Sequence, residues 1–409
     1  MRTYYPASVE VAQVQSEDYK AEFSQEGTER AVLGNVGPGV ETSVSTEEEV
    51  VTDGKEDGVA WQVEQYIAFM TLEEKAAQLF IILPESLMDV GCVTAAGETT
   101  EKAMDEIPVG GFMYLQGNLV SYDQAKTMLS NVQKYSMARL GLPAFLSVDE
   151  EGGTVTRISR TGRFDVPDIV SMSEIGKTGD AESARQTGTV IGGYLSDLGF
   201  NVDFAPVADV LSNPQNTVVK FRSFGDDPQL VADMSLALAA GLKEQGIIST
   251  FKHFPGHGAT AGDTHAGYAY TEKSLEQLQQ CELVPFKGAI EQNAGFIMVG
   301  HISLPNVTGG DTPASLSPVI IEGVLRGQMG YDGVVVTDAM NMGAIVQQYS
   351  SSEAAVKALL AGADIILMPK DFREAYQGVI DAVNNGTLPL ERIDQSLRRI
   401  LTVKLQMGH

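Results

Sequence analysis

Between Thr250 and Gly267 the chain reads TFKHFPGHGATAGDTHAG, a stretch that carries three of its five histidines together with Lys252 and Asp263. Histidine titrates near neutral pH, so imidazoles beside a lysine and an aspartate are suited to moving protons or to holding an oxygen-rich ligand. The apolar pair Ile247-Ile248 precedes the stretch. A buried strand that opens into a loop of Gly, His and Asp is how a barrel enzyme brings chemistry to its open end. Asp263 and His265 lie two positions apart, which lets them share a side of an extended loop. The Asp263 carboxylate can then hold the His265 imidazole as an orienting partner holds a catalytic base. Each residue alone has a plainer role: His253 and His257 can pack or cap locally, and Asp263 can be a turn residue. Three histidines within 13 positions also suit zinc, but no HExxH or cysteine-rich spacing accompanies them.

Elements able to position these side chains are legible on both sides. After an amphipathic helix expected around Trp61 to Lys75, short apolar runs occur at Gln78–Leu83, Val109–Leu115, Ala144–Val148, Val202–Ala205, Ile247–Phe251, Phe296–Val299, Gly333–Val336 and Ile365–Met368. Helical patterns separate most of them, at Tyr122–Leu140, Ala181–Leu198, Pro228–Gln245, Ser274–Asn293 and Phe372–Asn384, and a last amphipathic helix is expected over Leu390–Gln406. Eight buried strands alternating with helices imply parallel pairing through right-handed crossovers, and eight is the number that closes a barrel. The expected fold is therefore α/β, a single (β/α)8 barrel over residues 59–409, with a doubly wound open sheet as the runner-up. No GxGxxG or GxxxxGK[ST] fingerprint supports a nucleotide-binding version.

A barrel requires its functional residues at the C-terminal ends of its strands. The third run leads into Asp149, Glu150, Glu151 and then Arg157; the fourth into Asp203 and on to Arg222; the fifth carries Lys252 and His253; the sixth precedes His301; the seventh ends in Asp338. A buried strand ending in a carboxylate must find a partner or a ligand for it, because an unpaired buried charge is costly. Capping and structural ion pairs are the alternatives for Asp149, Arg157, Arg222 and Asp338.

KHFPGHG followed by D-x-H closely resembles the signature of bacterial β-N-acetylglucosaminidases of glycoside hydrolase family 3, and the resemblance spans about Val59 to Leu405. It implies an acid/base dyad at Asp263 and His265, a nucleophile at Asp338, and sugar-binding residues at Asp149 and Arg157 (from VDEEGGTVTR), Arg222 (from RSFG), Lys252 and His253. Ala259 departs from it, since many members carry Asp after GHG. In the larger β-glucosidases of the family a glutamate from a second domain is the acid/base. This chain runs to His409 directly after its last amphipathic helix, so the Asp263–His265 loop is the expected source. The implied activity is a retaining exo-β-N-acetylglucosaminidase acting on carbohydrate such as GlcNAc-β-1,4-muramic fragments of the cell wall, with no metal or organic cofactor. An N-acetylglucosaminide phosphorylase and a β-glucosidase or xylosidase of the same family are the alternatives. The resemblance also implies a cis Lys252-His253 bond; Ala205-Pro206 and Phe254-Pro255 are X-Pro bonds where cis isomers are accessible.

The net charge of −26 argues against nucleic acid and against an anionic membrane surface as partners. Two cysteines, Cys92 and Cys281, make neither a disulfide framework nor a metal site, and no run approaches the length of a membrane span. Residues 1–58 hold 13 acidic and 4 basic residues with little apolar periodicity, a composition that cannot offset its own ordering entropy. They are expected to form a disordered acidic spacer. The expectation is a monomer that acts outside the cell or tethered at its surface in a bacterium, its signal segment absent from this chain, with the cytoplasm as the alternative.

Overall fold

The computed structural model describes residues 54–260, 262 and 269–407. Asp263, His265 and residues 1–53 of the acidic segment lie outside the described residues. The eight barrel strands are β1 (Phe80–Ile82), β2 (Gly111–Met113), β3 (Phe145–Val148), β4 (Val202–Asp203), β5 (Ile248–Phe254), β6 (Phe296–Val299), β7 (Val334–Thr337) and β8 (Ile366–Leu367). All neighbouring pairs are parallel, and β8 pairs with β1 while a Val336–Ile365 bridge joins it to β7, which closes the ring. The barrel displaces the open doubly wound sheet. Each expected apolar run coincides with one strand: several strands are shorter than their runs, whereas β5 continues past its run to Phe254 and β7 to Thr337.

The helices form where their ends are signalled. Tyr122–Leu140 starts at a capping box, Ser121 with Gln124, and stops at Gly141, whose φ of 69° lies in the left-handed region that glycine adopts readily. Two expected helices divide. The opening one runs Gly54–Phe69, and a second, Leu72–Gln78, starts afresh at a Thr71/Glu74 capping box. The expected Ser274–Asn293 helix is split into Leu275–Gln280 and Val284–Glu291. Pro285 explains the second break, since its ring would clash with the carbonyl one turn back and it has no N–H to donate. A two-residue ladder, Ala269–Tyr270 with Ile302–Ser303, was not foreseen.

The barrel is filled by side chains. Phe145 and Phe296 come from strands that are not neighbours, yet their rings meet edge-on at 5.2 Å across the interior. At the N-terminal end, fully buried Lys404 of the last helix, Leu390–Met407, places its ammonium 4.9 Å from the Phe145 ring centre. It donates to Gln78 Oε1 and to the Gly110 carbonyl, both at 2.8 Å. Buried Asp364 gathers Arg326, Arg392, Arg399 and the Ser396 hydroxyl at this same end. These contacts tie the last helix to the barrel and leave the C-terminal end for chemistry. Among the described residues no helix is long and apolar enough to cross a membrane.

Candidate active site

Of the three consecutive carboxylates that follow β3, the middle one is structural. Buried Glu150 accepts the backbone N–H groups of Arg157, Ile158 and Ser159 at 2.6, 3.0 and 2.8 Å, with the Tyr194 hydroxyl at 2.9 Å. It thereby folds the loop that carries Arg157. Gly152, at φ 84°, lets that loop lie against the chain behind it, where a Cβ would come within 2.6 Å of Ile169. The outer two carboxylates meet the cations. Asp149 bonds Lys252 Nζ at 2.9 Å and Arg157 at 3.2 Å, and Glu151 takes Arg222 in a two-point pair at 2.7 and 2.8 Å and Lys252 at 2.6 Å.

Lys252 and Glu151 are each 2% exposed and Arg222 is also largely buried, so Glu151 meets its two cations almost without water, while Asp149 and Arg157 form the outer edge of the cluster. Burial disfavours the Glu151 anion, but Arg222 and Lys252 outweigh it and hold the carboxyl far below the usual range. Burial likewise works against the Lys252 cation, and Asp149 and Glu151 outweigh it and raise its pKa. Asp203, one strand over, differs: burial pushes its carboxyl well above the ordinary carboxylate range, and its Oδ1 accepts the Glu150 N–H at 2.9 Å.

Arg222 extends the chain of contacts to His253, whose Nε2 lies 3.3 Å from the guanidinium. The other ring nitrogen of His253 lies 2.7 Å from an oxygen of Asp209. The His257 ring stands edge-on to that of His253 at 5.8 Å, with its Nδ1 3.0 Å from the Thr260 hydroxyl, and burial lowers its pKa. The Ala205-Pro206, Lys252-His253 and Phe254-Pro255 bonds are all cis, as expected.

Asp338 follows β7, half-buried, with its N–H donating to the Val299 carbonyl of β6 at 2.9 Å and its Oδ1 accepting the Ala339 N–H at 2.8 Å. Burial would raise its pKa, but His253, His301, the Ala339 amide and Lys252 together hold it below the usual carboxylate range. It is therefore an anion at neutral pH. β6 lies between β5, which carries Lys252 and His253, and β7, which Asp338 follows, so the carboxylate and the cluster stand at the same C-terminal end of the barrel. His301 is anchored to the residue after Asp338, its Nε2 paired with the Ala339 carbonyl at 3.0 Å and its Nδ1 with the Ser315 hydroxyl at 2.7 Å.

Asp149, Arg157, Arg222, Lys252, His253 and Asp338 are thus brought to one end of the barrel, while Asp263 and His265 belong to the stretch outside the described residues. Sequence reasoning assigned no role to Glu151 and did not single out Asp209. A signal for Asp209 was present, because an aspartate set between Val207-Ala208 and Val210-Leu211 has to be buried and partnered.

A family model described as the Glycosyl hydrolase family 3 N terminal domain matches residues 71–403. Beta-hexosaminidase LpqI of Mycobacterium tuberculosis is 34% identical over 346 residues, covering 82% of this chain and 84% of that protein. Beta-hexosaminidase A of Pseudoalteromonas piscicida is 32% identical, covering 79% of this chain; the chain spans 58% of that relative's length. Among solved structures, a glycoside hydrolase family 3 beta-N-acetylglucosaminidase from Paenibacillus sp. str. FPU-7 superposes with a TM-score of 0.78 at 36% identity, covering 83% of this chain and 63% of the other.

Proposed function

The chain belongs to glycoside hydrolase family 3 and is a glycoside hydrolase, and from that premise we propose that it is a retaining exo-β-N-acetylglucosaminidase. The observation that carries this reading is the Asp338 carboxylate, held at the C-terminal end of β7 by the Val299 carbonyl and the Ala339 N–H, at the same open end of the barrel to which β5 brings Lys252 and His253. Glycoside hydrolysis with retention needs a nucleophilic carboxylate and a separate proton carrier on either side of one bond. Asp338 attacks the anomeric carbon as the glycosidic bond breaks, and His265, oriented by Asp263, protonates the departing oxygen. The same imidazole then takes a proton from water, whose oxygen attacks the anomeric carbon and releases Asp338. Asp149, Arg157, Arg222, Lys252 and His253 hold the terminal sugar through charge-assisted hydrogen bonds to its hydroxyls.

Terminal β-linked GlcNAc is the proposed substrate unit, in keeping with the names of the relatives, and cell-wall fragments with GlcNAc joined to a muramic residue are its natural setting. The test is an aryl-glycoside panel run with and without phosphate. Turnover of nitrophenyl β-GlcNAc well above nitrophenyl β-glucoside and β-xyloside, releasing free GlcNAc, is expected. Preference for the glucoside would overturn the substrate. Turnover only with phosphate, releasing GlcNAc-1-phosphate, would replace hydrolysis by phosphorolysis, a route open to a histidine acid/base because it is neutral once it has given up its proton and does not repel an anionic acceptor.

A further inference from the structure

Asp209 is fully buried and stands on the loop after β4, 44 residues from His253 in sequence. Three donors converge on its two oxygens. The imidazole Nδ1 of His253 lies 2.7 Å from Oδ2, and the backbone N–H groups of His253 and His257 reach Oδ1 at 3.2 and 2.6 Å. A carboxylate accepts only, so the ring nitrogen facing it must carry a proton. The far nitrogen, Nε2, lies 3.3 Å from an Arg222 NH2 group that can only donate. Both faces of the ring therefore demand one tautomer, with the proton on Nδ1 and a lone pair on Nε2.

We propose that Asp209 is a positioning residue for the sugar pocket, which fixes the tautomer and the rotation of His253 so that Nε2 is presented as an acceptor beside Arg222. The proposal rests on reading His253 as sugar-binding. Its two backbone contacts hold the Lys252–His257 segment as a unit, so the ring and the chain that carries it are set by one carboxylate. The charge also completes the relay that runs Asp209, His253, Arg222, Glu151, Lys252, Asp149 and Arg157.

Asparagine at 209 keeps the shape and removes the logic. It has one acceptor oxygen for three donors, and if that oxygen stays on the two backbone amides, its NH2 faces Nδ1 and requires the lone pair there. The proton moves to Nε2, donor against donor with Arg222. In Asp209→Asn, kcat/KM for an aryl β-GlcNAc is expected to fall about 10²-fold, chiefly through a raised KM, as expected when binding common to ground and transition state is lost. His253→Ala is expected to fall similarly, and the double variant to lie within about twofold of His253→Ala, because the carboxylate acts through the ring. Losses that multiply in the double variant would overturn the proposal.

Because Asp209 is fully buried, folding of the variants is checked by circular dichroism, and a second measurement stands independent of them. Imidazole nitrogen NMR of the ¹⁵N-labelled wild-type protein at pH 8, with His253 assigned by its loss in His253→Ala or by through-bond connectivity, is expected to show Nδ1 protonated and Nε2 bare. A proton on Nε2 would overturn the proposal whatever the kinetics. That spectrum needs no substrate, so a protein inactive on every GlcNAc glycoside would count against the proposed function, and the wrong tautomer against the role of Asp209.

Discussion

Glu151→Gln is the perturbation whose size follows most directly from the structure. The native carboxylate, 2% exposed, accepts three charged hydrogen bonds, two from Arg222 and one from Lys252. Glutamine fits the space but removes the anion and turns an NH2 toward one of the two cations. Breaking a buried pair by removing one partner costs about 3–5 kcal/mol, and Asp149 offsets part of this for Lys252 but not for Arg222. At about 2.1 cal/mol/K per residue over the roughly 350 residues of the barrel, the unfolding entropy is about 0.7 kcal/mol/K, so the melting temperature should drop by about 4–7 °C at pH 7. The sign with pH also follows. A carboxyl held below its unfolded value stabilises the fold above the unfolded pKa, about 4.3 for Glu, and loses that contribution as pH falls toward the lower folded value. The gap between wild type and variant should therefore shrink between pH 5 and pH 3, the range about that pKa. Scanning calorimetry of both proteins across that range is the assay. Equal melting temperatures at neutral pH, or a gap that widens in acid, would refute the account of the cluster.

Asp338→Ala should abolish turnover while changing the melting temperature little, since the side chain is half-buried at a strand end; full-rate cleavage of a nitrophenyl β-GlcNAc by a folded variant would remove it as the nucleophile. His265→Ala should slow a natural disaccharide more than an activated aryl glycoside, because good leaving groups depart without a proton; equal losses on both would assign His265 to positioning. Lys404 is pushed down to about 7 by burial. Its folded value is below its unfolded one, about 10.4, so the penalty of burying the cation is present below pH 7 and relieved as pH rises to about 10. The stability of the wild type relative to Lys404→Met should therefore rise over pH 7 to 10, as read from melting temperatures; a flat difference would contradict it.

The legible part of this molecule is the part encoded locally. Each barrel strand falls on or begins within an apolar run, and the Ser121 capping box with its closing Gly141 marks the ends of Tyr122–Leu140 within the sequence itself. The break at Pro285 was equally local, but the helical period on both sides of it obscured the interruption. What could not be read depends on partners distant in sequence. Glu150 and Glu151 are neighbours with the same chemistry, and only the return of the chain at Ser159 and at Arg222, 71 residues from Glu151, makes one a loop-folding acceptor and the other an ion-pair hub. Asp203 shares the residue type of Asp149, yet burial pushes the one well above the ordinary carboxylate range and Lys252 and Arg157 meet the other. Asp209 became a member of the site only through β5, whose residues Lys252 and His253 bring the imidazole onto it.

The central claim, that Asp338 forms a glycosyl-enzyme with a GlcNAc unit, is tested most directly by trapping that intermediate. A 5-fluoro-GlcNAc fluoride, whose ring fluorine slows turnover of the adduct, is incubated with the protein, followed by intact mass and peptide mapping by mass spectrometry. The account predicts one added sugar per chain, located on the peptide that carries Asp338 and absent from Asp338→Ala. A sugar attached to another carboxylate, or substrate turnover under conditions in which no adduct ever forms, would contradict it.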